Sequence, residues 1–336
     1  MKKKFFMILW GFSTIFGASC SNGTDETNET KYTVFRSVGN DFSHAQNSPH
    51  KMMMDEDGEF YWNKNDRLFV YDKRLSTYTK TIASRSSDIT GKQKLATFIF
   101  DGDFTDDSYP VFYTNTSSSY ANGWAITHIT HQQNQSQPNY SEFLGNYGAC
   151  GVDFATRQPD GTFVFKLQHK AAYLKLFPYL GNGPTNAKLK NIWISAKDNK
   201  IIRGYFQFNV LTGEWRLSTD ANHNYGNTIQ ANCADFSLTS DKDKALENAG
   251  CYFVIAPGEY ELAITYIVEY LKNGSLSSKT FQRTVSLRNY PVATYTNIRH
   301  KLMFDGTGFD GDAGEVEVGD ASEIESKGLH LSDGIE

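Results

Sequence analysis

Apolar and polar residues alternate in short bursts along most of this chain. The segments 60–62, 67–71, 96–100 and 109–113 set aromatic or β-branched residues two apart, the period at which a strand presents one face. Between them lie Asn63-Lys64-Asn65-Asp66, Asp101-Gly102-Asp103 and 115–122, all turn chemistry. Further on, 162–179, 190–196, 202–210, 214–218, 251–255, 260–271, 280–286 and 294–304 read as extended. The stretch 209–214 reads as a hairpin connection in which Gly213 can take positive φ, and Pro257-Gly258 as a tight turn. One helix is predicted over 240–249, with Asp241 and Asp243 near its positive end and Gly250 stopping it.

Many short strands separated by turns imply an all-β fold, and the later strands suffice for one immunoglobulin-like or transthyretin-like sandwich. Aromatic residues make up 14% of the chain, which suits strands. Its 336 residues allow two domains in tandem. The least strand-like stretch, 155–161, marks the expected boundary between an N-terminal β-sandwich domain at 32–160 and a C-terminal one at 161–304. Residues 305–336 are acidic and Gly-rich, and are expected to be a mobile tail.

The first residues follow a different pattern. Lys2-Lys3-Lys4 precedes an apolar run over 5–16, then Gly17, Ala18, Ser19 and Cys20. That order is a secretory signal peptide spanning 1–19, with an apolar run shorter than the roughly 20 residues a membrane-spanning helix needs. The segment 16–20 resembles a bacterial lipobox, although Gly17 stands where Leu, Val or Ile is usual. Cys20 is accordingly the candidate lipidation site. The polar, acidic segment 20–31 behind it reads as a lipidated tether similar to the surface-export signal of Bacteroidetes lipoproteins. Acyl chains, each worth about 0.8 kcal/mol per buried methylene, would hold such a protein on the outer membrane.

Net charge is −5 and the basic residues are scattered, so no nucleic-acid partner is expected. Of four cysteines, Cys150, Cys233 and Cys251 remain after Cys20. Cys233 with Cys251 is the preferred disulfide, and buried free thiols are the alternative. The acidic groups at 101–107 and 305–312 lack the spacing of a calcium loop, and His128 and His131 would face opposite sides of a strand, so no metal is expected. No nucleophile elbow, phosphate loop or zinc-protease motif is present. The reading is a protein without catalytic residue or cofactor. Among exposed aromatics Trp124, set among Asn and Ser, is the candidate for stacking on sugar rings, while Trp193 and Trp215 sit in apolar strands and are expected in the core.

Three stretches carry a resemblance. They are 62–71, which includes Asn65-Asp66 and Leu68-Phe69-Val70-Tyr71; 163–176, which includes Gln168-His169-Lys170; and 253–262, which includes Ala256-Pro257-Gly258. A last strand with Asn297 and His300 follows Pro291. In this order they resemble the fimbrillin or Mfa-like family of Bacteroidetes pilus subunits and pilus-associated lipoproteins, with Asn65 where the family usually has Gly. The resemblance implies two transthyretin-like sandwiches and assembly with other pilus subunits by donor-strand exchange. In that family an N-terminal strand is cut away by an Arg- or Lys-specific protease and a neighbour's strand fills the vacated place, so the resemblance implies the same here.

Here that strand begins at 32–35, which makes Arg36 the candidate processing site, with Arg85 as competitor. The alternating donor candidate, Glu315-Val316-Glu317-Val318, is short and bracketed by glycines. It therefore favours an anchor, tip or accessory subunit over a major stalk subunit. The alternative is a surface glycan-binding lipoprotein engaging host or bacterial surface ligands, and the discriminating feature is whether exposed aromatics share one face.

Overall fold

The structure, a computed structural model, describes residues 31–38, 53–54, 60–75, 81–116, 123–141, 143–218, 220, 224–304, 316–318 and 322–323. The signal segment, Cys20 and the tether up to residue 30 lie outside the described residues, as does most of 305–336.

The first strands are β1 (Tyr32–Ser37), β2 (Met53–Met54), β3 (Phe60–Tyr61), β4 (Phe69–Tyr71), β5 (Thr81–Ala83), β6 (Thr97–Asp101), β7 (Ser108–Tyr113) and β8 (Trp124–Ile129). Next come β9 (Gly151–Arg157), β10 (Phe163–Phe165), β11 (Gln168–His169), β12 (Ala172–Leu176), β13 (Tyr179–Leu180), β14 (Lys188–Ala196), β15 (Gly204–Asn209), β16 (Trp215–Leu217) and β17 (Thr228–Ser237). The short helix α1 (Ala245–Ala249) precedes β18 (Cys251–Ile255), β19 (Gly258–Lys272), β20 (Ser275–Tyr290), β21 (Thr294–Leu302), β22 (Val316–Val318) and β23 (Ser322–Glu323). The chain is all-β with one short helix among its described residues.

One sheet runs β5-β4-β7-β9-β10-β1-β6, with β11 also on β9. One face is buried along the sheet, and over β4, β7 and β9 part of the other face is covered as well. Along β7, Tyr109, Val111 and Tyr113 enter a core with Phe35, Trp62, Phe98, Phe100 and Phe163. Phe112 faces the other way, into a smaller core with Tyr71, Ala125, Phe208 and Val210.

A second pair of sheets, β13-β21-β12-β18 and β17-β14-β19-β20, encloses the largest core. Leu174 and Phe253 come from one layer, and Ile192, Ile264 and Tyr266 from the other. A three-stranded sheet, β16-β15-β8, packs on β4, β7 and β9 of the first sheet around the smaller core.

Several expectations are corrected. Residues 151–157 form β9, paired on both sides, although 155–161 reads as the least strand-like stretch. Phe154 and Thr156 face solvent while Ala155 between them is buried, and the polar end of the strand, Thr156 and Arg157, masks it in the sequence. The remaining turn at 158–162 joins β9 to β10, with Asp160 Oδ1 accepting from the Thr162 amide and hydroxyl. The single extended segment expected over 162–179 breaks into β10, β11, β12 and β13, because the chain leaves one sheet and enters another.

Strand β17 carries too many polar residues to stand out in the sequence, and β8 turns only Ala125, Thr127 and Ile129 inward, a face too small and polar to read as apolar. The expected helix shortens to a 3-10 turn at Lys242–Lys244 followed by α1, where Asp241 Oδ1 accepts from the Asp243 amide at 3.0 Å. Within the stretch 305–336, β22 and β23 pair antiparallel with β21 and cover ladder groups that would otherwise lie open. Trp193 is 46% exposed on the outer face of β14, so it is not a core residue.

Candidate assembly strand and its slot

The sequence of β1 alternates, and so does its burial: Thr33 and Phe35 point inward while Tyr32 and Arg36 are exposed. It is not an edge strand. On one side it pairs antiparallel with β6, Phe35 opposite Phe98, and on the other parallel with β10, Phe35 opposite Phe163.

Phe35 is fully buried, its ring stacked on Phe163 at 4.6 Å and edge-on to Phe100 at 4.9 Å and Phe104 at 5.3 Å. Burying such a side chain contributes roughly 1.5–3 kcal/mol. The Thr33 hydroxyl donates to the Gly102 carbonyl at 2.8 Å, and Ser37 Oγ accepts from the Ala96 amide at 2.7 Å. Withdrawing β1 would thus open an apolar slot lined by Phe rings, with two rows of unpaired backbone groups facing each other across it.

Arg36 projects from this strand to solvent, 3.8 Å from Asp160. The Asp160 carboxyl lies below its ordinary range, chiefly through its hydrogen bonds to Thr162 and less through Arg36. The Arg36 backbone lies in both ladders, opposite Thr97 and Val164, so a protease reaches it only when β1 peels away. Arg85 lies just beyond β5 and is paired with Asp101 at 2.5 Å.

The other candidate residues lie elsewhere. Cys233 on β17 and Cys251 on β18 face each other across the largest core, both buried, with sulfurs 3.8 Å apart and no bridge between them. Burial pushes the Cys251 thiol well above its ordinary pKa. Cys150 is isolated from them in the smaller core, its thiol raised to about 12 by burial.

Trp124 starts β8 with the Arg216 guanidinium 3.6 Å above its ring centre, so one face is already occupied by a cation. Trp215 is half-buried, stacked at 5.3 Å on Phe206.

The connection between β8 and β9 escapes sequence reasoning entirely. Its backbone runs along β17, with the amides of Gln133 and Gln135 donating to the carbonyls of Gln230 and Asn232. Meanwhile the Gln133 carboxamide makes two hydrogen bonds of 2.9 Å to the Val254 amide and carbonyl, and Gln135 does the same at Tyr252. Side-chain amides thus replace a neighbouring strand on the free edge of β18. The one available signal is that two glutamines stand two residues apart, at strand spacing.

No family model matches the chain, and no curated protein matches it. Among solved structures it is similar to a candidate cell adhesion protein from Bacteroides ovatus at 12% identity and a TM-score of 0.47, covering 78% of this chain and 88% of that one. Another, from Bacteroides uniformis, has 11% identity and a TM-score of 0.46, covering 82% and 98%. A fimbrial protein from Bacteroides vulgatus has 11% identity and a TM-score of 0.41, covering 76% and 92%. These three are Bacteroides proteins of adhesion and fimbrial type, and the likeness is at low identity.

Proposed function

We propose that this chain is a fimbrillin-like pilus or adhesion subunit, exported as a lipoprotein through Cys20 and assembled with other subunits by strand exchange. The observation that carries the reading is β1, an N-terminal strand held between two others by two backbone ladders, one buried Phe and a few polar contacts. Two ladders and a Phe-lined slot form an acceptor that an incoming extended segment can fill: backbone groups supply affinity and alternate side chains supply register. The protein would reach the outer-membrane surface with its own β1 in that slot and be unable to polymerise. Cleavage after Arg36 would then release Phe35, and with it the lipid. We read the chain as two transthyretin-like sandwiches in tandem, the first around Phe35 and Trp62 and the second around Ile192 and Tyr266. Engagement of the tail strands β22 and β23 with β21 in the same chain favours an anchor, tip or accessory role over a stalk role.

The test is to incubate the lipidated precursor with a trypsin-like surface protease, sequence the new N-terminus and run the product on detergent gels without boiling. A terminus at Ser37 together with detergent-resistant oligomers is expected. A terminus elsewhere removes Arg36 from the scheme, and a cut chain that stays monomeric overturns strand exchange.

A further inference from the structure

A cleft of about 470 Å³ opens beside the connection between β8 and β9, within the size range of small-molecule sites. Aromatic rings form one wall. Phe143 lies 6.1 Å from Tyr140 and 5.1 Å from Tyr147, each pair tilted, so the rings make a stepped surface. The lining also includes Asn134, Ser136, Asn146 and Asn232. None of the described lining residues is charged.

The backbone here is already committed, which rules out an added strand. The Gln135 amide donates to the Asn232 carbonyl, the Asn232 amide donates to Asn134 Oδ1 at 2.9 Å, and the Tyr147 hydroxyl donates to the Asn134 carbonyl at 3.0 Å. What stays uncommitted among the described residues is side-chain chemistry. The carboxamide nitrogens of Asn134 and Asn232, the whole Asn146 carboxamide and the Ser136 hydroxyl have no protein partner. The wall is also held in place from behind. The Asn139 amide donates to the Gly250 carbonyl, and the Tyr252 hydroxyl donates to Asn139 Oδ1 at 2.6 Å.

We propose that this cleft binds a neutral carbohydrate. Carboxamides present a donor and an acceptor side by side, which is what vicinal sugar hydroxyls require. Aromatic faces carry negative charge density and accept the polarised C–H groups of a pyranose face. With no cation among its described lining residues, the site offers nothing there to hold a phosphate, sulfate or carboxylate. The proposal locates the sugar contact away from Trp124 and does not depend on strand exchange, because the cleft is complete with β1 in place.

The experiment uses the unprocessed mature chain. Neutral tri- to pentasaccharides of glucose, galactose and mannose, and sialylated and sulfated counterparts, are titrated calorimetrically, with saturation-transfer NMR to identify the contacting rings. Binding of at least one neutral oligosaccharide is expected, weakened tenfold or more in Phe143→Ala. It is lost in Ser136→Trp, which fills the cleft from an exposed lining position and leaves the core untouched. No binding to any neutral member at millimolar concentration overturns the proposal. So does binding confined to charged glycans, or binding that persists in Ser136→Trp but disappears in Trp124→Ala or Trp193→Ala.

Discussion

Acidification should unfold this protein through two buried imidazoles. His169 is 5% exposed and His300 is fully buried. Burial lowers each from 6.5 to about 3, with Arg283 adding to the effect at His300. Tyrosine hydroxyls stand beside both, Tyr173 at 3.2 Å from His169 Nδ1 and Tyr266 at 2.7 Å from His300 Nδ1. A depressed histidine pKa means that the folded protein excludes a proton which the unfolded chain accepts near pH 6.5. Stability is therefore complete above that pH and falls with it down to about pH 3.

At pH 5 the gap is about 1.5 pH units per imidazole, or about 2 kcal/mol each and about 4 kcal/mol together. That is a large part of the 5–15 kcal/mol that holds an ordinary domain folded. Urea unfolding followed by tryptophan fluorescence at pH 7.5, 6.0 and 5.0 measures it. His300→Gln, which keeps a polar partner for Tyr266, should lose about half as much stability over this interval as the native chain. If the variant loses as much as the native protein, the His300 proton is not excluded by the fold and the argument fails.

Phe35→Ala should cost about 3–5 kcal/mol, as large-to-small changes at buried aromatics do, and should raise the hydrogen-exchange rate of β1 and β6 amides before any other strand. Gln133→Ala leaves the Val254 amide and carbonyl unpaired, each worth about 1–3 kcal/mol. A shift in urea midpoint equivalent to less than 1 kcal/mol would mean that the edge of β18 finds other partners. Folded in the presence of oxidised glutathione, which takes up the two electrons as the two thiol protons leave, Cys233 and Cys251 should close a bridge between the facing sheets. Intact mass would record the loss of two hydrogens and denaturation a gain of about 3 kcal/mol, whereas Cys233→Ser should abolish both. The folded, reduced protein should resist the same reagent, since both thiols are buried and burial keeps the Cys251 thiol protonated.

Strands were legible in this sequence wherever one face is apolar and the other polar, as in β7, β14 and β19, because the period of two survives in the residue types. It was lost where the residues that fill a face are short or polar. Strand β17 buries Ile229, Ala231 and Cys233 between Thr, Gln and Asn, and β9 buries Val152 and Ala155. Asn273-Gly274, with both residues at positive φ, turns β19 into β20 and was a hairpin signal open to reading.

Neighbour relations lay further out of reach. Periodicity assigns a residue to a face, but nothing in the order of the chain says that β1 enters between β6 and β10, one antiparallel and one parallel. That placement changes the physics of strand removal. An edge strand leaves one open ladder and a sheet otherwise intact, whereas loss of β1 also separates β6 from the rest of its sheet, so two ladders and the Phe35 contacts go together. Release of β1 should therefore be all-or-none and slow, followed by a strong demand for any extended segment of matching alternation. These are the properties required of a lock on polymerisation, and they follow from the position of the strand more than from its length.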